Sequence, residues 1–234
     1  MENPSPNPLI TEEDHLQSSA FFDSFFTEKN CNTYGWGPLQ TYPPYTEIIK
    51  QADSSNAAYF IHEGIVKLSW IDRSGHEMIA GLRYRDWIIG APSVLLKKPY
   101  SFTVTTLEKS VLRCISAKNF LYLVKTHPEF VIHMLRILCQ EYFTQGKKLG
   151  MLGCASGRDR LKHLLYQFIR DVYKKSPMHE KIKVHLPLKH KEIAQIIAVS
   201  PEHLSRLLKD LEMQKVIRRE KEDIILLDNG MFQK

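Results

Sequence analysis

Glu202, Ser205, Arg206 and Lys209 place a carboxylate, a hydroxyl, a guanidinium and an ammonium in the stretch VSPEHLSRLLKDLEMQKVIRRE, Val199 to Glu220. Leu204, Leu207, Leu208 and Leu211 recur there at helical spacing and would face a core. The four polar groups fall on the other faces of the same helix. Side chains set out in this way serve a solvated surface or a helix laid in a groove of DNA, and their context decides between the two.

The groupings that support catalysis are missing. The chain has no G-x-S-x-G, no G-x-G-x-x-G and no P-loop. Its ten histidines form no H-x-H pair and no H-E-x-x-H, which argues against a cupin-type metal oxygenase and a zinc hydrolase. Cys31, Cys114, Cys139 and Cys154 are far apart, matching neither a zinc pattern nor the clustered thiols of an iron–sulfur site. Reduced thiols, no bound metal and no enzyme activity are the expectations. No apolar run approaches the ~20 residues of a membrane span. The start, MENPSPNPLITEEDHL, is not a secretory signal. A cytoplasmic protein with a disordered segment over residues 1–15 is expected.

Charge is unevenly placed. From Met151 onward there are 17 basic and 11 acidic residues, whereas the first 150 residues hold 15 of each. Segregation of this kind suggests an anionic partner for the last third alone.

Three parts must position these groups. Residues 16–126 read mostly as short strands: Val66, Leu68 and Trp70 alternate with Lys67 and Ser69, Ser74-Gly75 signals a turn, and a new strand starts near Glu77. This predicts an all-β sandwich or roll, closed by a short helix, Ala117 to Lys125, with Ser116 as N-cap. Residues 127–153 predict a long helix, with Pro128 in its first turn. Val131, Leu135, Leu138, Tyr142, Gln145, Leu149 and Leu152 form a heptad seam in it, able to pack on its own domain or on a twin. The glycines of GMLGCASG, Gly150 to Gly157, suit a hinge. Residues 154–234 predict a helix with Leu161, Leu164, Leu165, Phe168 and Val172 inward and Ser156 as N-cap. A helix through Ile193, Ile196 and Ile197, the tight turn AVS, the opening stretch, and two short strands in VIRREKEDIILLD follow. This is the outline of a winged helix-turn-helix.

In this order the parts resemble the Crp/Fnr superfamily of bacterial transcription regulators, over roughly residues 20 to 230. The matching stretches are AYFIHEGIVKLSWIDRSGHEMI, RLKHLLYQF and KEIAQIIAVSPEHLSRLLKDLEMQKVI. The resemblance implies an α+β chain: a cyclic-nucleotide-binding-like β-roll (a double-stranded jelly roll), a long dimerisation helix and a C-terminal winged helix-turn-helix. It implies a homodimer on double-stranded DNA, an RNA polymerase contact and an effector in the roll. The base-reading positions fall on Pro201, Glu202, Ser205 and Arg206. The pattern E-x-x-S-R resembles the Fnr branch, with half-sites of the TTGAT kind. Arg206 can give two parallel hydrogen bonds to guanine O6 and N7, Glu202 can accept from cytosine N4, and Ser205 can approach a thymine or a phosphate. His203 stands at a variable position. Lys189, His190, Lys191, Lys209, Arg218 and Arg219 are candidates for phosphate contacts.

The sensor departs from its cyclic-nucleotide-binding relatives. Those hold the phosphate with a Gly-Glu pair and a later Arg-Ser or Arg-Thr. Here Gly90 is followed by Ala91, and Tyr100 precedes Ser101. Without the arginine no fixed cation meets the phosphate, and without the glutamate the ribose loses an acceptor, so cyclic AMP is not expected. The Fnr-type iron–sulfur cluster is not expected either, since only Cys31 lies near the N-terminus. A haem on His62 or His76 is left open. In the family geometry Trp87, Tyr100, Phe102, Tyr142 and Gln145 would line an effector cavity. Ala52 stands where a turn glycine is common, and Arg85 precedes Asp86 where the family often has glycine. Two alternatives share the outline: a haem or redox sensor on the same reader, and a ligand-binding roll whose C-terminal domain docks protein.

Overall fold

The computed structural model describes residues 12–173, 182–220 and 223–227. The chain opens with two helices, α1 (Glu12–Phe25) and α2 (Glu28–Tyr34). Strands β1 (Trp36–Tyr42), β2 (Glu47–Ile49), β3 (Ala57–Glu63), β4 (Val66–Ile71), β5 (Glu77–Arg83) and β6 (Ile88–Ile89) follow. A short helix α3 (Ala91–Leu96) separates these from β7 (Thr103–Thr106) and β8 (Ser110–Ser116). They form two four-stranded antiparallel sheets, ordered β1-β8-β3-β6 and β2-β7-β4-β5, which is the expected jelly roll.

The early helices correct the sequence reading twice. Glu12–His15 are helical rather than disordered, and the stretch up to Tyr34 holds no strand. Residues 1–11 lie outside the described residues. The physical reason is an aromatic cluster. Phe22 meets Phe60 at 4.9 Å and Phe130 at 6.0 Å, and Phe26 meets Phe60 at 4.4 Å. A run of phenylalanines is strand-like in composition, yet burial on one helix face decides its conformation. Asp23 pairs with Arg85, and Ser19 bonds Asp86.

Ser116 caps α4 (Ala117–Thr126) by accepting from Asn119 N, as expected. His127 Nδ1 accepts from Phe130 N, and Pro128 begins α5 (Pro128–Cys154), a helix of 27 residues. Phe130, Met134 and Ile137 bury its first turns against the roll. The seam expected on it is largely bare: Leu135, Tyr142, Leu149 and Leu152 are all exposed, Tyr142 by 77%.

Gly146, Gly150 and Gly153 stay helical, so the glycine-rich hinge contracts to Ala155 and Ser156. Ala155 is extended, and Ser156 starts α6 (Gly157–Tyr173), accepting from Asp159 N and donating to Asp159 Oδ2. Each glycine costs ~1 kcal/mol relative to alanine, too little to end a helix held at its start by a core.

The last part contains β9 (Ile182–His185), α7 (His190–Ile196), α8 (Pro201–Met213), β10 (Ile217–Glu220) and β11 (Asp223–Leu226). The three strands form one antiparallel sheet, β10-β11-β9, and β9 went unread in the sequence. Leu161, Leu164, Leu165 and Phe168 of α6 and Ile193 and Ile197 bury together as expected, with Leu204, Leu208 and Leu211 of α8; Leu207 and Ile196 are partly buried. The Val172 side chain lies outside the described residues. Three buried leucines contribute about 1.5–3 kcal/mol each to holding α8. Among the described residues no helix is long and apolar enough to cross a membrane.

Candidate nucleic-acid interface and sensor cavity

Ser200 Oγ accepts from His203 N and Pro201 occupies the first turn, so the start of α8 is capped from its own sequence. In the turn before it, Ala198 has φ 52, a left-handed value that allows α7 and α8 to cross tightly. Pro201, Glu202, His203, Ser205, Arg206 and Lys209 are all exposed on the side away from the leucines.

Arg206 makes no hydrogen bond or ion pair among the described residues. The amide at the helix start and the Ser200 hydroxyl hold the Glu202 carboxyl below its usual range, with Arg206 adding to this. Glu202 is therefore an anionic acceptor at neutral pH. Ser205 Oγ donates to Pro201 O at 3.1 Å and lies 3.4 Å from His190 Nε2, so in the free protein it ties α8 to the start of α7. Lys191 and Lys209 are exposed and form no ion pair among the described residues. Arg218 pairs with Glu220 at 2.8 Å and Arg219 with Glu212 at 2.6 Å, so both of these cations are partly neutralised. Lys189 Nζ lies 5.1 Å from the centre of the Tyr45 ring of the roll.

Sequence reasoning missed a residue that joins the hinge to the reader. Arg160 donates from Nε to Ile197 O at 2.7 Å, from Nη1 to Ala155 O at 2.6 Å and from Nη2 to Ala198 O at 3.3 Å. One guanidinium thus links the hinge carbonyl to the turn between α7 and α8. Nothing in its local pattern distinguishes it from a surface arginine at the start of a helix.

The roll and the reader also touch directly. Lys67 Nζ of β4 lies 2.8 Å from Glu192 Oε1 of α7 and 2.9 Å from Glu77 Oε1 of β5. Burial opposes the Lys67 charge, but hydrogen bonds to Glu192 and Glu77 outweigh it and raise its pKa. Gln195 Nε2 donates to Glu77 O at 3.2 Å.

A cavity of about 110 Å³ lies where the roll, the long helix and α6 meet. Arg83, Trp87, Gln145, Lys148, Gln167 and Phe168 supply its polar and aromatic lining. Arg83 pairs with Glu141 at 2.5 Å and sits 4.4 Å above the Trp87 ring.

Two family models match the chain: the cyclic nucleotide-binding domain over residues 39–127 and the Crp-like helix-turn-helix domain over residues 159–233. The cyclic AMP receptor protein of Thermus thermophilus is 23% identical over 203 residues, covering 87% of this chain and 90% of that protein. The global nitrogen regulator of a Nostoc species is 26% identical over 188 residues, covering 80% and 83%. The structure of FixK2 from Bradyrhizobium japonicum superposes with a TM-score of 0.72 at 14% identity, covering 84% of this chain and 95% of that one.

The chain belongs to the Crp/Fnr superfamily. It is a DNA-binding transcription regulator rather than an enzyme.

Tyr100, where the Crp/Fnr resemblance puts the phosphate-binding arginine, is turned into the core. It is 8% exposed, its hydroxyl donates to Ala57 O at 2.6 Å and accepts from Ala57 N at 3.1 Å. Gly90 adopts φ 79, and a Cβ there would come within 3.0 Å of both Ala57 O and the Tyr100 ring. Ala91 is buried and Ser101 exposed. Of the residues expected at an effector pocket, Trp87 and Gln145 line this cavity, and half-buried Phe102 does not. Gly90, Ala91, Tyr100 and Ser101 belong to another region of the roll, where Ala57 holds the Tyr100 hydroxyl, and Tyr142 points to solvent. Ala52 takes φ 72, so its turn keeps the glycine conformation without glycine, whereas the left-handed value in the second turn falls on Asp86, at φ 74, and not on Arg85. Each costs roughly 1 kcal/mol or more.

Of the two haem candidates, His62 has the Phe26 and Phe60 rings 4.8 Å from its own, and His76 stands on an exposed turn with Nδ1 2.7 Å from Ser74 Oγ. Cys31 is buried, Cys114 half-buried, and Cys139 and Cys154 exposed; all four are free thiols.

Proposed function

We propose that this protein is a cytoplasmic homodimer that reads a palindromic TTGAT-like site through α8 and regulates transcription at RNA polymerase. The carrying observation is the outward face of α8. Glu202, Ser205 and Arg206 stand together on it, and among the described residues Arg206 makes no hydrogen bond or ion pair that would have to break on meeting a base. The bare seam of α5, with Tyr142, Leu149 and Leu152 in solvent, supports pairing of two long helices. Two readers so joined face successive major grooves about one helical turn apart.

An effector acts on the sensor and favours one arrangement of the Ala155–Ser156 hinge, a shift between two dimer states. Cyclic AMP is not that effector in this reading. Tyr100 supplies no cation, and its ring and hydroxyl already satisfy Ala57 and cover Gly90. Haem is not included, because the His62 ring is enclosed by two phenylalanines.

Fluorescence anisotropy of the purified protein on a duplex of TTGAT and ATCAA half-sites, against a scrambled duplex at ~0.15 M salt, tests the reading. Selective binding is expected, unaltered by cyclic AMP. Equal affinity for both duplexes, with and without candidate effectors, would overturn it.

A further inference from the structure

We infer that Arg160 is the positioning residue that sets how the two readers of a dimer stand apart, and so which spacing of half-sites the protein accepts. The inference rests on the regulator reading, because it takes α8 as the element that meets DNA. Arg160 lies in the first turn of α6, and its guanidinium is shared between two helix ends. Ala155 closes α5, its own amide donating to Met151 O at 2.9 Å. Ile197 closes α7, and Ala198 follows it. The partners of Arg160 among the described residues are the carbonyls of these three residues, at 2.6, 2.7 and 3.3 Å. They stand at the negative ends of two helix dipoles, which a cation joins favourably.

The turn between α7 and α8 does not need Arg160 for its own shape. Ile197 N donates to Ile193 O at 3.1 Å, Ala198 N to Gln195 O at 3.1 Å and Val199 N to Ala194 O at 3.0 Å. The Ile197 and Leu204 side chains are buried on either side of it. What Arg160 adds is the bond to Ala155 O, which makes that carbonyl part of the reader. Ser156 is tied as well, through its hydroxyl to Asp159. The swivel between the long helix and the reader is thereby confined to the backbone of Ala155. None of these bonds involves the roll, so they do not depend on the reader being docked there.

Neighbouring contacts carry this rigidity into α8. A Cβ at Gly157 would come within 3.0 Å of Val199 Cγ1 and 3.4 Å of Leu207 Cδ1, so the bare backbone of Gly157 lies directly against the turn and the reading helix. Arg158 Nη2 donates to Gln214 Oε1, at the far end of α8. The start of α6 thus holds α8 along its length, and Arg160 joins that body to the end of α5. On DNA, one base pair more between half-sites moves the second reader ~3.4 Å along the axis and ~35° around it. A stiff joint meets one such position well and its neighbours poorly. A loose joint meets several, each with less gain from the second half-site. Lysine would keep the charge, but its single ammonium lacks the planar fork that bridges these carbonyls.

The test is anisotropy of the full-length protein at ~0.15 M salt on a single half-site duplex and on duplexes whose TTGAT and ATCAA half-sites stand three to six base pairs apart. Wild type should bind its preferred spacing about tenfold better than spacings one base pair away. Arg160→Gln and Arg160→Lys should lose about tenfold at that spacing but less than about threefold on the single half-site, with a profile flat to about threefold. Arg158→Gln leaves the Ala155 link intact, and its losses should be equal at every spacing. A purely structural role for Arg160 would weaken all duplexes alike and keep the wild-type profile in its variants, and that result would overturn the inference. A flat profile in the wild type would overturn it too. So would failure of both Arg160 variants to fold, which would make the residue a part of the reader core. Failure of the regulator reading would show differently, as equal affinity of the wild type for the half-site and a scrambled duplex, and would remove this inference with it.

Discussion

Lys67 of the sensor and Glu192 of the reader meet at 2.8 Å, across 125 residues of sequence. Glu192 Oε2 also accepts at 2.8 Å from the amide of Lys189, the residue that caps α7. One carboxylate thus starts the first reader helix and fixes it to the β-roll. Both side chains are close to buried, at 12% and 10% exposure. Lys67→Met leaves the α7 cap intact and strands the carboxylate, which should destabilise the docked reader by about 2 kcal/mol. A protease cutting at Ala155–Ser156 should then act up to about thirtyfold faster. An unchanged rate would mean that docking rests on apolar contacts alone.

Arg206 and Lys191 should fail in different ways. Arg206→Ala should cost ~1–3 kcal/mol on the specific duplex and relax selection at one base pair. Lys191→Ala should weaken specific and random duplexes alike and lower the salt slope by about 0.9. Anisotropy across a salt series separates them. Equal losses on both duplexes after Arg206→Ala would remove its base-reading role.

The bare seam of α5 gives a third expectation. Leu149 is 69% exposed in one chain. Leu149→Glu should convert the dimer to a monomer in sedimentation and weaken binding to a two-half site about a hundredfold, with single half-sites much less affected. A Leu149→Glu variant that remains dimeric would place the two-fold contact elsewhere.

Acid sensitivity should be traceable to His62. Burial, then the charges of Arg113 and Arg85, hold its pKa down to about 4, with Asp23 opposing. The folded state therefore binds fewer protons than the unfolded state between pH ~6.5 and ~4, and stability falls as pH drops through that window. The full shift corresponds to roughly 3 kcal/mol, and partial exposure reduces it to about 1–2 kcal/mol. The urea midpoint should be lower at pH 5 than at pH 7 in the wild type, and the difference should shrink in His62→Gln. Equal falls in both would assign the effect to other groups.

The reader was legible because its signals are local. The spacing of Leu204, Leu207, Leu208 and Leu211 defines an amphipathic helix within a short window. Ser116 and Pro128 marked their helices for the same reason. Where partners lie far away, the sequence was silent. The α1 phenylalanines are helical because Phe60 and Phe130 receive them. The glycines of α5 read as a hinge, but two helix starts, at Pro128 and Ser156, place the break after them. Tyr100 and Tyr142 looked alike as cavity aromatics, and only tertiary packing sends one into the core and the other into solvent.

The aromatic docking of α1 also sets an order of events during synthesis. Phe22 leaves the ribosome early, but its partner Phe130 is made only after the whole roll and α4. At ~5–20 residues per second, the interval is on the order of ten seconds. Through it, Phe22 and Phe25 have no long helix to cover them. Truncation before Phe130 should therefore leave these rings uncovered and yield aggregated rather than folded sensor domain.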